Sequence, residues 1–273
     1  MNERTEHLER KLDEWPPLTK TYEKLLDELA KPQYEVRSVF EHYIGKEGKP
    51  HPEKITIVLR VDVDAAFHLS YPLALHFAKR KLNASHYFLT NETRYYNLWN
   101  SQILSRIQNL GQEVGLHSDH YFAEMIDGFD GLESIRKDVA NLGKLTKAPI
   151  FGMTYHGHIG MDTKNLCNAE LYQDVNPKEL GLVYHDGRAS CYCDPMKNIG
   201  EPKCASRVID FMGLPSSWGW NYIPWYPLAY IKKHAKVGHL FCVDIHTLNA
   251  FEYWKDWPTI YGEKLREKES SFV

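Results

Sequence analysis

The chain has 273 residues, 43% of them apolar and 13% aromatic, enough to bury the core of one large α/β domain. Its formal charge of -3 leaves no basic surplus to neutralise phosphates, so nucleic acid is not an expected partner and a small or neutral substrate is favoured. The opening MNERTEHLERKLDEW lacks the apolar stretch of a secretion signal, and no later run is long enough to span a bilayer; a cytoplasmic protein without a membrane span is expected.

From Thr5 to Ala30, Leu8, Leu12, Leu25, Leu26 and Leu29 stand among charges, and Pro16 and Pro17 interrupt the pattern. Two short helices outside the main domain are predicted there. The Gly/Pro-rich GKEGKPHPEK, Gly45 to Lys54, reads as a loop leading inward. Residues 1–50 are thus expected to be a helical extension with a connecting loop, and 51–273 the main domain.

The main domain opens with ITIVLRVDVD, an apolar, β-branched strand that ends in Asp62 and Asp64. A helix follows in SYPLALHFAKRKL, with Ser70 as its predicted N-cap, Pro72 in the first turn, and Leu69, Leu73 and Phe77 on one face. SHYFLT is a second strand, and Ile103, Leu104, Ile107 and Leu110 mark a helix that Gly111 terminates. QEVGLH is the third strand, followed by a helix with Leu132, Ile135, Val139 and Leu142 inward, and PIFGMTYH is the fourth. GLVYH, RVIDF and HLFCVDIH are later strands, with YPLAYIKKH as a helix before the last. Repeated strand–helix units of this length predict an α/β fold with a parallel sheet or barrel and right-handed crossovers.

Asp62 and Asp64 close the first strand of this map, His117 the third, His156 the fourth and His246 the last. Carboxyl ends of parallel strands converge on one rim, where barrels and open α/β sheets bind ligands. Alternation turns Asp62 and Asp64 to the same side, where two anions raise each other's pKa unless a cation lies between them. A metal removes that conflict: one carboxylate ligates and the other stays free as a base. Taken alone, the D-x-D pair also suits a helix cap and His117 a core histidine; their shared rim favours the metal.

Other signatures are missing: there is no phosphate-binding glycine loop, no G-x-S-x-G elbow and no H-E-x-x-H helix. The five cysteines are read as thiols. Cys191, Cys193 and Cys204, with His185 upstream, lack the paired C-x-x-C spacing of a structural zinc site and read as small buried residues.

Over roughly residues 55–249 the chain resembles the NodB-type polysaccharide deacetylases, the carbohydrate esterase family 4, in a divergent subgroup associated with surface-polysaccharide biosynthesis. LRVDVD stands where that family has paired aspartates, LGQEVGLHSDHYF where it has a Gly-x-Glu-Ile-Gly-x-His segment, and FCVDIHTLN at its final strand. The resemblance implies a distorted or incomplete (β/α) barrel and a divalent metal, zinc being the ion suited to Asp and His ligands. It makes Asp64 and His117 ligands, Asp62 the catalytic base and His246 the acid. It further implies removal of an acetyl group from a sugar or polysaccharide precursor.

The chain departs from the pattern at two places. The family's second histidine falls four residues after the first, a position held here by Tyr121, with His120 one residue short of it. His120 and His156 are both candidates for the third ligand, and His156 is preferred because it ends its own strand. TYHGH also lacks the Arg and Pro of the corresponding family motif, so the residue that orients the base is left open. Trp218, Trp220 and Trp225 read as closing the barrel. Two other readings suit these residues: a catalytically silent carbohydrate-binding relative, and a metal-dependent hydrolase of another amide or ester.

Overall fold

A computed structural model describes residues 15–64, 67–90, 102–120, 124, 128–156, 175–185, 208–210 and 227–251. The first predicted helix, the three clustered cysteines, Tyr121 and the three tryptophans lie outside the described residues. Among the described residues, eight strands form one sheet: β1 (Tyr34–Arg37), β2 (Ile55–Val63), β3 (Ser85–Leu89), β4 (Glu113–Ser118), β5 (Gly152–Tyr155), β6 (Tyr184–His185), β7 (Val208–Asp210) and β8 (Leu240–His246). Every ladder is parallel, in the order β6-β5-β4-β3-β2-β8-β7. The sheet curls into a half-barrel. The helices are α1 (Lys20–Leu29), α2 (Ser70–Lys79), α3 (Ile103–Asn109), α4 (Gly131–Thr146) and α5 (Pro227–His234). Among the described residues, no helix is long and apolar enough to cross a membrane.

β2 is the axis of the sheet. One edge pairs with β8 from Thr56 to Asp62, and the other pairs first with β1, over Ile55 to Val58, and then with β3, over Arg60 to Val63. The segment before residue 51 therefore also supplies a strand, too short at four residues to show a period. Nor does α1 stand apart: Leu25, Leu26 and Leu29 join the same apolar core as the strands and α2, α3 and α4. Thr19 caps α1, its Oγ1 accepting from the Tyr22 N–H at 3.4 Å.

The outward residues of β2, Ile57, Leu59, Val61 and Val63, are buried under the helices in that large core. Each stabilises the fold by about 1.5–3 kcal/mol through area removed from water. A smaller cluster of Val39, Val58, Tyr87, Tyr184, Leu240 and Cys242 lies on the other face, inside the curl. The α2 start differs from expectation: Phe67–Leu69 form a 3-10 turn and Ser70 is already the first helical residue, its hydroxyl donating back to the Phe67 carbonyl. α3 ends as predicted, with Gly111 at φ +84°, a left-handed conformation that favours glycine. Asp130 caps α4, its Oδ1 accepting from the Glu133 N–H at 2.9 Å, and Ile135, Val139 and Leu142 face the core.

Candidate metal centre

Strand register brings the polar residues into layers across the inside of the curl. His246 pairs with Asp62 across β8 and β2, Asp62 with Tyr87 on β3, and Tyr87 with Gly115 on β4. One step toward the C-terminal rim, Leu89 pairs with His117 and His117 with Thr154. Asp64 follows β2 directly and His156 follows β5, its N–H donating to the Ser118 carbonyl at 2.8 Å to continue the ladder. The carboxyl ends of four strands thus place these side chains on one rim.

Asp64 is the point of convergence. Its Oδ1 lies 3.2 Å from His117 Nε2 and 3.8 Å from His156 Nε2, and its Oδ2 lies 3.5 Å from His246 Nε2. One donor atom each from Asp64, His117 and His156 fall within 4.8 Å of one another, and so do those of Asp62, Asp244 and His246. The His117 and His156 rings meet edge to face at 5.1 Å. His117 Nδ1 is 2.8 Å from Thr154 Oγ1, so that nitrogen can donate to the hydroxyl while Nε2 faces Asp64.

This donor set fits a divalent cation. Asp64 Oδ1 is buried without a well-directed hydrogen bond, although two imidazole nitrogens stand within 4 Å of it. Arg60 is shared between Asp62 and Asp244, whereas Asp64 faces imidazole nitrogens. Burial opposes ionisation of Asp64, yet His117, His246 and His156 together hold its carboxyl well below the ordinary range. Burial likewise disfavours a charged His117, but Asp62 and Asp64 overcome it and raise the imidazole above its usual value. Mixed carboxylate and imidazole donors match zinc and related ions.

Asp62 is held differently. Arg60 Nε donates to its Oδ1 and Arg60 Nη2 to its Oδ2, both at 2.5 Å, a two-pronged ion pair. The same Nε lies 3.7 Å from Asp244 Oδ2. Burial pushes the Asp62 carboxyl up, and Arg60 followed by His117 brings it below its usual value. Asp62 Oδ2 remains 3.5 Å from His117 Nε2, beside the Asp64 cluster. At the mouth, the side chains of Asp64, His156 and His246 are 25%, 21% and 13% exposed, so solvent reaches the face that a substrate would approach.

Asp62, Asp64, His117, His156 and His246 come together, and His120 does not. Its Nε2 turns 3.1 Å from Asp138 Oδ2 on α4, its Nδ1 lies 3.0 Å from Ser118 Oγ, and Thr90 Oγ1 donates to the same Asp138 oxygen at 2.5 Å. Arg60, Asp244 and Thr154 were not anticipated. A period-two signal existed for the first two: R-x-D in β2 and D-x-H in β8 put charge on one face of otherwise apolar strands. Thr154 carried no such signal.

The fold and site define a parallel half-barrel with a carboxylate–imidazole cluster at the carboxyl ends of its strands. No family model matches the chain, and no curated protein matches it. Its structure is similar to those of carbohydrate esterase family 4 polysaccharide deacetylases. One is a Streptococcus pyogenes deacetylase in complex with acetate, at 14% identity and TM-score 0.37, covering 50% of this chain and 61% of that one. Another is a polysaccharide deacetylase from Bacillus cereus, at 14% identity and TM-score 0.39, covering 78% and 87%. A family 4 pseudoenzyme from Bacillus anthracis is also similar, at 14% identity and TM-score 0.35, covering 81% and 63%. The matches thus span less than two thirds of the Streptococcus deacetylase and of the pseudoenzyme.

Proposed function

We propose that the chain is a NodB-type, metal-dependent hydrolase that removes an N- or O-linked acetyl group from a sugar or polysaccharide precursor. The observation that carries this reading is the meeting of His117 and His156 on one buried oxygen of Asp64, beside an Asp62 held in a two-pronged grip by Arg60. Asp64, His117 and His156 are the residues that would hold a divalent ion of the zinc type. Such an ion, when bound, supplies Lewis acidity that makes a water a nucleophile near neutral pH and stabilises the carbonyl oxygen under attack.

The remaining steps belong to the chain's own side chains. Asp62, kept ionised and oriented by Arg60, accepts the proton of the attacking water. His246, across the β2–β8 pair and open to solvent, donates a proton to the departing sugar nitrogen or oxygen. Arg60 takes the orienting role that TYHGH, lacking Arg and Pro, could not fill. The products are acetate and a deacetylated sugar.

The test is acetate release from a panel of N- and O-acetylated sugars by protein of known metal content. One equivalent of metal, with turnover sharply lowered in Asp62→Asn, is expected. Metal with no acetate release from any sugar would instead indicate a silent carbohydrate-binding relative, and release from other amides or esters with no preference for sugars would indicate a different hydrolase.

A further inference from the structure

Directly beneath the layer of Asp64 and His117, two glycines make room for two tyrosines. A Cβ on Gly115 would lie 2.5 Å from Tyr87 Cδ1, and one on Gly152 would lie 1.9 Å from Tyr184 Cζ. Neither position tolerates a side chain while the rings stay where they are. The Tyr87 and Tyr184 hydroxyls meet at 2.6 Å, and Tyr184 donates to the half-buried carboxylate of Glu113. Because the Tyr184 proton is committed to Glu113, Tyr87 donates to Tyr184. Glu113 is fixed in turn by the Ser85 hydroxyl and by the Phe40 N–H at 3.0 Å. The Tyr87 ring therefore has one position, and the Arg60 guanidinium lies over it, 5.8 Å from its centroid.

We propose that Tyr87, locked by Tyr184 and Glu113, is a positioning residue for the Arg60–Asp62 pair. This rests on the reading of Asp62 as the base and extends it to the residue that aims the base. Arg60 is a long, flexible side chain between two carboxylates, Asp62 and Asp244. The flat ring beneath it favours one guanidinium orientation through the attraction of a cation to a π face, leaving the fork directed at both oxygens of Asp62. Gly115 and Gly152 follow from the same requirement, since any side chain there would displace a ring. Tyr87 touches no reacting atom and acts through Arg60.

The test is hydrogen exchange of the Arg60 Nε–H, followed by 15N NMR in the full-length protein and assigned by its loss in Arg60→Lys. The wild-type signal is expected to exchange slowly because it is held by Asp62. Tyr87→Leu, which removes the ring, should speed that exchange by about tenfold. Tyr87→Phe keeps the ring but frees it from Tyr184 and should give a smaller acceleration. Wild-type exchange in both folded variants would overturn the proposal. If Tyr87→Leu fails to fold, Tyr87→Phe decides: acceleration supports the platform and wild-type exchange overturns it. The readout does not depend on turnover, so undiminished acetate release by Asp62→Asn would remove the assignment of the base while leaving the Tyr87 result standing.

Discussion

The two faces of β2 are built from alternate residues of one nine-residue strand and meet opposite physical demands. Ile57, Leu59, Val61 and Val63 point outward into the helix-covered core, whereas Val58, Arg60 and Asp62 point into the curl. The outer face acts through buried area, which is non-directional and tolerates small shifts. The inner face holds charges that are tolerated only because each meets a partner within hydrogen-bonding distance. A slip of one residue in register would exchange the two sets, so apolar packing outside fixes the geometry of the charges inside.

Substitutions on the two faces should separate these contributions. On the inner face, Asp62→Asn should lower kcat/KM by about 10²–10⁴-fold with metal content and melting temperature near wild type; a variant with normal turnover would show that Asp62 is structural. On the outer face, Leu59→Ala should cost about 2–5 kcal/mol by urea unfolding and leave metal stoichiometry unchanged. A metal loss equal to that of a ligand variant would blur the distinction.

Acid should act first on the buried neutral histidines. Burial lowers His42 to about 4 and His86 to about 3, so both are neutral in the fold. The unfolded chain takes up their protons near pH 6.5, so below that value it binds more protons than the native state and stability falls as pH drops. The slope should be about 1 kcal/mol per pH unit for each group until its folded pKa is reached. Asp62 and Asp64 have depressed pKa values, so their contribution is complete above the ordinary carboxylate range and is lost only at lower pH, as the folded values are crossed. Unfolding midpoints of metal-free protein between pH 7 and 4 check this, with His86→Leu expected to flatten the slope. The smallest effect concerns Thr154→Val, which removes the oxygen beside His117 Nδ1. It should weaken metal binding by about tenfold without unfolding the protein.

The strands were legible because their periods and their Gly and Pro boundaries agree, and seven of the eight follow the predicted segments. β1 was not, since YEVR is too short to reveal a period and is ordered by pairing with β2. The expectation that one rim gathers Asp62, Asp64, His117 and His246 needed only strand polarity. Placing His120 away from Asp64 needed more. The partner of His120 is Asp138, eighteen residues later on a different element, and nothing in the local spacing announces that pair. Arg60 was not legible because its long side chain starts inside β2, short of the strand end, and reaches toward the rim.

The most direct test is a zinc titration followed by calorimetry, on wild type and on the alanine variants of Asp64, His117, His156 and His120. If Asp64, His117 and His156 form the metal centre, one equivalent binds to the wild type and to His120→Ala, with binding lost in Asp64→Ala and His117→Ala and strongly weakened in His156→Ala. Absence of zinc uptake by the wild type, or uptake indifferent to Asp64 and His117, would contradict that assignment.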